Sequence, residues 1–400
     1  MNVCMIAHTV YESDNRVIRY ADTLAKLGHT VDVVVSSTGG KQESGRVGGV
    51  NVYSVSSRDN KMKSPLSYLY QIMSFFVRAA AFVTRRDLRR HYDLVHVHSV
   101  PDFLVFTAFF PKLRGAKVIL DIHDILPEFY ISKFGKTQQS FIYRLLVGVE
   151  RLSAAFADHI IIANDIWRAK LVARSVPETK CTAILNFPDR TIFQRRGRTR
   201  RDEKVVMIYP GTLNRHQGLD IALRAFSLIK DEVRDAEFHI YGVGPEEGSL
   251  KQLASELDLG DRVKFSGYRR LKEIAAVIEN ADLGVVPKRN NTFGNEAFST
   301  KTLEFMAMGV PVIVADTKVD RYYFDDSVVK FFKSGDERSL AEAMLAVIRK
   351  PGVRASLVRN ASEFIAVNDW ESNKHKYLKI VDRLVGKGAT AMAAHAGTHA

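Results

Sequence analysis

The stretch Glu296-Ala-Phe-Ser-Thr-Lys-Thr-Leu-Glu304, continuing as Phe-Met-Ala-Met-Gly309-Val-Pro311-Val-Ile-Val, carries the strongest structural signal in the chain. Ser299 and Thr300 are both good helix N-caps, because a short side-chain oxygen accepts from the open N–H groups of a first turn. Gly309 is a good terminator, since glycine adopts the left-handed conformation that closes a helix. Val310–Ala315 is then an apolar run of strand length. The segment predicts a polar loop, a short helix and a buried strand in succession. The helix N-terminus offers unpaired N–H groups and a positive dipole end, which suits a diphosphate. Glu304 falls on the helix and can accept two hydrogen bonds from the vicinal hydroxyls of a ribose. Glu296 falls in the loop and can accept from sugar hydroxyls or balance positive charge. An ordinary surface helix could carry two such glutamates. The cap, Lys301, the Gly-Val-Pro exit and the preceding run Ala281-Asp-Leu-Gly-Val-Val-Pro287 together argue for a site.

Outward from this segment the same alternation repeats. Apolar runs at Val3–Ala7, Val31–Val35, Leu94–Val97, Val118–Ile122 and Ile160–Ala163 alternate with longer helical patterns. A second set follows at Val205–Tyr209, Phe238–Tyr241, Val263–Phe265, Leu283–Val286 and Val310–Ala315. Such alternation predicts parallel sheets with crossover helices, and fully apolar strands predict helices on both faces. A chain of 400 residues is long for one core and suits two α/β domains. The pattern stops between Asn186 and Lys204, where the chain is polar and crowded with arginines. The expected division is 1–188 and 189–369, with a helical pair at Leu340–Ile365 and a last helix at 370–385. The stretch 386–400, rich in Gly, Ala, His and Thr, is expected to be a disordered tail.

Composition narrows the function classes. The 58 lysines and arginines against 45 acidic residues give a formal charge of +13. A basic balance points to nucleic acid, anionic membrane or phosphorylated substrates. No zinc finger, basic recognition helix or aromatic-plus-basic RNA motif is present, so nucleic acid is not expected. The positive charge clusters at Arg85–Arg90 and Arg190–Arg201. The two cysteines, Cys4 and Cys181, sit in apolar runs and read as buried thiols of a reducing compartment. No Cys/His cluster has metal-ligand spacing. The chain opens on Val3–Ala7 without a basic leader or cleavage site, so no signal peptide is expected.

The segment Leu66–Thr84 is mostly apolar, with Arg78 its only charge. Leu69, Met73, Phe76, Ala80 and Val83 recur at helical spacing. A buried helix and an in-plane membrane helix flanked by Arg85, Arg86, Arg89 and Arg90 both fit. A transmembrane span is the weaker alternative, because Ser64, Ser67, Gln71 and Ser74 dilute the run.

The Glu296–Val314 segment resembles family 4 of the retaining glycosyltransferases, which have the GT-B fold. That family carries two glutamates eight residues apart and a following helix of the form K-x-x-E-x-M-A-x-G-x-P-V. Lys301, Glu304, Met306, Ala307, Gly309, Pro311 and Val312 match it. Other segments fit in the same order: Asp14-Asn-Arg16-Val with Gly28-His29, Asp93 to His98, and Asp121-Ile-His123-Asp124 with Pro127-Glu128. Asn186-Phe-Pro-Asp189, Gly242-Val-Gly244-Pro245, Phe265-Ser-Gly267 and Asp369-Trp370-Glu371 continue it.

The resemblance implies two Rossmann-like domains with parallel sheets facing across a cleft, the last helix crossing back to the first. It implies an N-terminal acceptor-binding domain and a C-terminal domain for the nucleotide sugar, a UDP- or GDP-sugar. It implies Glu304 on the ribose, Glu296 facing the donor sugar, and the backbone of Phe298, Ser299 and Thr300 near the diphosphate or sugar. Gly267 precedes Tyr268, where backbone reads the base. His123 ends the run Val118–Ile122, and ligands gather beyond the carboxyl ends of such strands. A neutral imidazole there can bond a donor-sugar hydroxyl, which makes His123 and Glu296 the catalytic candidates; a structural histidine is the alternative. His98 ends a strand similarly, and Asp124 either orients His123 or touches the acceptor. Retention, front-face attack and no metal cofactor are implied, with arginine, lysine and the helix N-terminus neutralising charge.

Two loops depart from the family pattern. His8-Thr-Val-Tyr-Glu-Ser-Asp14 lacks the usual glycines, leaving Asp14, Asn15 and Arg16 as the available polar groups. Gly211-Thr-Leu-Asn-Arg215-His-Gln217-Gly218 has Thr212 and Gln217 where an arginine and a lysine are usual. Arg215, then Lys301, are the cations left for the diphosphate. The acceptor is expected to be a glycan or a lipid-linked molecule. The apolar, basic stretch 66–90 makes an anionic membrane a candidate partner, at the inner face of the cytoplasmic membrane. A nucleotide-sugar epimerase or hydrolase is the competing enzyme, and a basic membrane-surface or nucleic-acid binding protein the competing class.

Overall fold

A computed structural model describes residues 1–37, 44–57 and 65–386. Residues 387–400, on which the expected tail falls, lie outside the described residues. The chain divides into two compact units, residues 1–186 with the chain from 373, and residues 187–372.

Unit 1 holds strands β1 (Asn2–Ala7), β2 (Thr30–Ser37), β3 (Ser44–Val47), β4 (Val50–Ser57), β5 (Leu94–Ser99), β6 (Lys117–Ile122), β7 (His159–Ile162) and β8 (Cys181–Ala183). Its helices are α1 (Asn15–Lys26), α2 (Pro65–Arg89), α3 (Phe109–Leu113), α4 (Leu126–Phe134), α5 (Phe141–Phe156) and α6 (Asp165–Arg174). The strands lie in the order β3-β4-β2-β1-β5-β6-β7-β8. All described pairings are parallel except β3 on β4. Because β2 and β5 flank β1, strand order reverses there, and the carboxyl ends of β1 and β5 border a crevice of the kind that takes ligands.

Unit 2 holds β9 (Val205–Pro210), β10 (Ala236–Tyr241), β11 (Val263–Phe265), β12 (Leu283–Val286), β13 (Val312–Ala315) and β14 (Lys330–Phe332). They form a parallel sheet in the order β11-β10-β9-β12-β13-β14. Helices α7 (Leu219–Ile229), α8 (Glu247–Glu256), α9 (Leu271–Glu279), α10 (Thr300–Ala307), α11 (Lys318–Tyr323), α12 (Glu337–Arg349) and α13 (Pro351–Val367) accompany it. The core joins Met207, Phe226, Phe238, Val285, Ile313, Leu340 and Met344, all essentially without exposure. The switch point here lies between β9 and β12, beside the loop that leads into α10.

The last helix, α14 (Trp370–Val385), packs on the first sheet. Tyr377 lies between Tyr20, 4.4 Å away by ring centroid, and His96, 5.5 Å away. Arg383 meets the Nδ1 of His159 at 2.8 Å.

Three expectations need correction. α2 buries Ile72, Phe75, Ala79 and Val83; of the expected stripe Val83 is buried, Phe76 and Ala80 are half-buried, and Leu69 and Met73 are exposed. Apolar residues occur all round α2, so helical spacing fits several faces. The contact of Phe75 with the His8 ring, centroids 5.0 Å apart, shows which one is inward. The Arg190–Arg201 cluster is not a free basic surface. Arg190 pairs with Asp369, Arg198 and Arg200 pair with Asp282, and Glu279 and Asn280 accept from the backbone of this strap. Ser299 stands at the N-cap of α10, yet its hydroxyl makes no capping bond. Cys4 and Cys181 are both buried free thiols. No described helix is long and apolar enough to cross a membrane.

Candidate functional site

In unit 2 the chemistry gathers at the first turn of α10. Gly309, with φ +67°, ends the helix, and its N–H donates to Met306 while Val310 donates to Phe305. Phe305 lies flat on Gly284, where a Cβ would stand 2.6 Å from the ring. That close approach fixes the helix to β12. At the other end, the hydroxyls of Ser299 and Thr302 are buried and have no hydrogen-bond partner. Buried hydroxyls are normally satisfied. With no side chain capping the turn, this end of α10 is ready for an external acceptor.

Lys301 is directed beneath Gly211. A Cβ at Gly211 would stand 2.2 Å from its Cε, so a side chain there would displace Lys301. Its ammonium lies 5.3 Å from the Tyr209 ring centroid, a cation–π contact. Burial, with Lys288 adding repulsion against relief from Glu304, lowers Lys301 to about 8. Glu304 sits one turn along α10 and is half-buried. Lys288 is held differently: its Nζ donates to the Ala297 carbonyl at 2.6 Å and pairs with Asp320 at 2.7 Å. This anchors the loop carrying Glu296, whose carboxylate lies 3.9 Å from the Lys318 Nζ. Phe298 packs edge-on against Tyr323, centroids 5.1 Å apart.

Arg215 starts the 3-10 turn Arg215–Gln217 after β9. It is exposed and lines a hollow with Asp220, Glu246 and Glu256, alongside Arg224 and Arg289. Lys301, the second cation in sequence terms, is thus the one placed at the α10 turn. His216 escaped the sequence reading. Its ring meets Phe293 edge-on at 5.6 Å and its Nε2 lies 3.0 Å from the Gln217 amide. Burial, then Lys301 and Lys288, push it down to about 4, so it is neutral near pH 7. Gly267, φ +65°, follows β11, and its carbonyl accepts from Gly242 at 2.8 Å.

In unit 1 a polar cluster closes the carboxyl ends of β5 and β6. Strand alternation puts His96 and His98 on one face, their rings stacked 4.2 Å apart. The β5–β6 register sets His98 against Asp121. Asp121 is fully buried, and Arg16 grips both its oxygens at 2.7 Å through Nε and Nη2. The Arg16 Nη1 donates to the Ile184 carbonyl. Arg16 is therefore not an open polar group, as the sequence led one to expect, but a buried brace. Asp14 caps α1 by accepting from the Val17 N–H. Asn15 is half-buried in the first turn of α1.

His98 Nδ1 and His123 Nε2 both reach the Asp121 Oδ2, at 3.2 and 3.3 Å. Burial alone would raise Asp121; Arg16 and then His123 hold it well below the usual carboxylate range. Burial lowers His98. Against burial, Asp121 raises His123, and burial raises Asp124. Ligand-type atoms of His96, His98 and Asp121 come within 4.8 Å of one another, a grouping their sequence spacing did not show. The carboxylate already has the Arg16 guanidinium on both oxygens, which puts a fixed positive charge where a cation would bind.

Residues 191–364 match the family model described as glycosyl transferases group 1, and residues 14–186 match the glycosyl transferase 4-like domain. WcaL of Salmonella typhimurium, described as a colanic acid biosynthesis glycosyltransferase, is 27% identical over 157 residues. That alignment covers 39% of this chain and 39% of WcaL, so the match spans well under half of the relative's length. The sucrose-phosphate synthase of Thermosynechococcus elongatus has the same fold, with a TM-score of 0.77 at 17% identity, over 96% of this chain and 99% of that one. The Anabaena protein HepE in complex with UDP-glucose aligns with a TM-score of 0.70 at 14% identity, over 96% and 100%.

Proposed function

The chain belongs to the group 1 glycosyltransferases, with the two parallel-sheet domains of the GT-B fold, and from that premise we propose that it transfers a hexose from a nucleotide sugar to a glycan or lipid-linked acceptor with retention of configuration. The observation that carries this reading is the first turn of α10. Uncapped N–H groups, two unbonded buried hydroxyls and the desolvated Lys301 ammonium meet there. A diphosphate supplies the negative charge and acceptor oxygens that all three lack.

On this reading the turn and Lys301 stabilise the departing diphosphate, and Glu304 accepts from the ribose hydroxyls. Charge that would otherwise be met by a metal ion is met by the ammonium and the helix dipole. Arg215 serves the outer phosphate edge. Glu296 and His123 bond the donor sugar and steady positive charge at the reacting carbon. His98, Asp124, Asp14 and Asn15 belong to the unit 1 side, where we place the acceptor. A UDP- or GDP-sugar is the donor class, and the likeness to the UDP-glucose complex supports the former. A thermal-shift panel of nucleoside diphosphates and their sugars tests the proposal: saturable stabilisation by one base is expected, and none by any would overturn it. Glu304→Ala should weaken nucleotide binding, whereas Glu296→Ala should mainly lower turnover.

The acceptor reading rests on the surface of unit 1. Tyr68, Leu69, Tyr70, Met73 and Val77 of α2 are exposed, and so are Arg78, Arg85 and Arg89. Exposed apolar side chains beside arginines suit an anionic membrane, at the inner face of the cytoplasmic membrane. The name of WcaL, a colanic acid biosynthesis glycosyltransferase, agrees with a glycan acceptor. Sedimentation with anionic vesicles is expected; its absence would remove the lipid-linked acceptor.

A further inference from the structure

We propose that Asp121, braced by Arg16, is a positioning residue that holds the His123 ring with its proton on Nε2, so that Nδ1 is the atom presented to substrate. This rests on the reading of His123 as a donor-sugar contact. An ionised carboxylate only accepts hydrogen bonds. Oδ1 accepts from the Arg16 Nη2, and Oδ2 accepts from the Arg16 Nε at 2.7 Å. The same Oδ2 faces His98 Nδ1 at 3.2 Å and His123 Nε2 at 3.3 Å. A bare Nε2 on His123 would set a lone pair against a buried carboxylate. A proton there removes the repulsion and adds a charge-assisted bond.

The competing arrangement has His98 Nδ1–H donating to a bare His123 Nε2, since those atoms are 3.3 Å apart. That places the His123 proton on Nδ1 and turns the same ring from acceptor to donor toward substrate. Asp121 disfavours it, because Arg16 keeps the carboxylate ionised. The groups facing His123 are Asp121 on β6, His98 on β5, and Arg16 and Asp14 on or before α1. The neighbouring Asp124 stands in the loop after β6. The His123 side chain is 24% exposed, while Asp121 and His98 are at 0% and 1%. The Nε2 edge thus points inward and the opposite edge is the accessible one. Arg16 and Asp121 are 105 residues apart, so nothing in the local sequence marks them as partners.

The test is a long-range proton–nitrogen correlation spectrum of the full chain labelled at its imidazole nitrogens, with His123→Gln assigning the signal. Recorded at a pH above the raised pKa of His123, where the ring is neutral, the spectrum is expected to show protonation at Nε2, and protonation at Nδ1 in the wild-type protein overturns the proposal without any variant. Asp121→Asn should convert the single tautomer to a mixture; an unchanged His123 signal in that variant also overturns it. If Asp121→Asn does not fold, because Arg16 then lacks its counter-charge, the wild-type spectrum decides alone. An Nε2–H signal together with undiminished sugar transfer by His123→Gln would refute the donor-sugar contact and leave the positioning intact.

Discussion

The two units use their surfaces and interiors in opposite ways. Unit 1 exposes large apolar side chains along α2, α3 and α5, among them Leu69, Tyr70, Val77, Leu113, Phe141, Leu145 and Leu152, while it buries a cluster of three polar groups and a guanidinium beside its strand ends. Unit 2 exposes few such side chains among the described residues, chiefly Leu228, Val243, Tyr268, Tyr322 and Val367. It holds a matched buried pair too, Lys288 with Asp320, but one further cation sits differently. The Lys301 ammonium packs on a ring, whereas Arg16 is matched by a carboxylate. A matched buried pair is a scaffold: removing one partner costs much and gains no ligand. On the proposed reading the Lys301 ammonium, beside a ring, Glu304 and the repelling Lys288, is the one left to receive a ligand. Unit 1 then supplies a rigidly held side chain and unit 2 the ligand affinity.

That division can be broken experimentally. His123→Ala is expected to lower sugar transfer by roughly 10²–10³-fold, the range for losing one group that stabilises charge in the transition state, with nucleoside diphosphate affinity unchanged; a matching fall in affinity, measured by calorimetry, would erase the distinction between the units. Lys301→Ala should act in the other sense, weakening the nucleoside diphosphate by about 1.5–3 kcal/mol, the range for a hydrogen bond to a charged group. Its effect on the nucleoside should be slight. Titration sharpens this. Lys301 lies at about 8 in the free protein. Below that pH it is charged and binding is at full strength; as pH rises through 8 the charge is lost and affinity falls, by at most about tenfold per pH unit. Lys301→Arg should flatten that profile, because a guanidinium stays protonated. The smallest effect concerns the surface. Tyr70→Ser should change unfolding free energy by no more than about 0.5 kcal/mol while reducing vesicle binding. A large loss of stability would show that α2 is core on that side too.

The sequence was legible where strands are apolar on both faces. All ten runs named from it are strands, because β-branched runs bounded by turn signals admit few alternatives. It was silent on β4, where Val50, Val52 and Val55 are diluted by Asn51, Tyr53 and Ser54, and on β14, which has three residues; at β8, equally short, it gave only the apolar run at Cys181. Strands so short or so mixed gain their identity from neighbours. α10 could be read in full, since cap position, helix and terminator are local signals. Its lack of a capping bond could not, because that depends on where the Ser299 hydroxyl is packed. The unit 1 cluster shows the same limit more strongly. His98 and His123 were visible as strand ends, but Asp121 was not, because its role is given by Arg16 from a helix formed at the other end of the domain. Likewise the arginines of 190–201 look like free charge until Asp282 and Glu279 are set beside them.

The glycines under the α10 turn bear on how this protein could be altered. A Cβ on Gly242 would stand 1.8 Å from the Gly211 carbonyl, one on Gly244 2.4 Å from that of Leu213, and one on Gly211 2.2 Å from Lys301. At Gly242 and Gly244 the loops after β9 and β10 touch backbone to backbone, whereas at Gly211 the neighbour is the far end of the Lys301 side chain. Substituting Gly242 or Gly244 would force one backbone away from the other and is expected to cost stability, whereas substituting Gly211 would displace the Lys301 side chain. Thr212, Arg215 and Gln217, on the same loops but at least partly open to solvent, are where variation can be absorbed. The loops beside the α10 turn are thus split into immovable and mutable positions that alternate within a few residues.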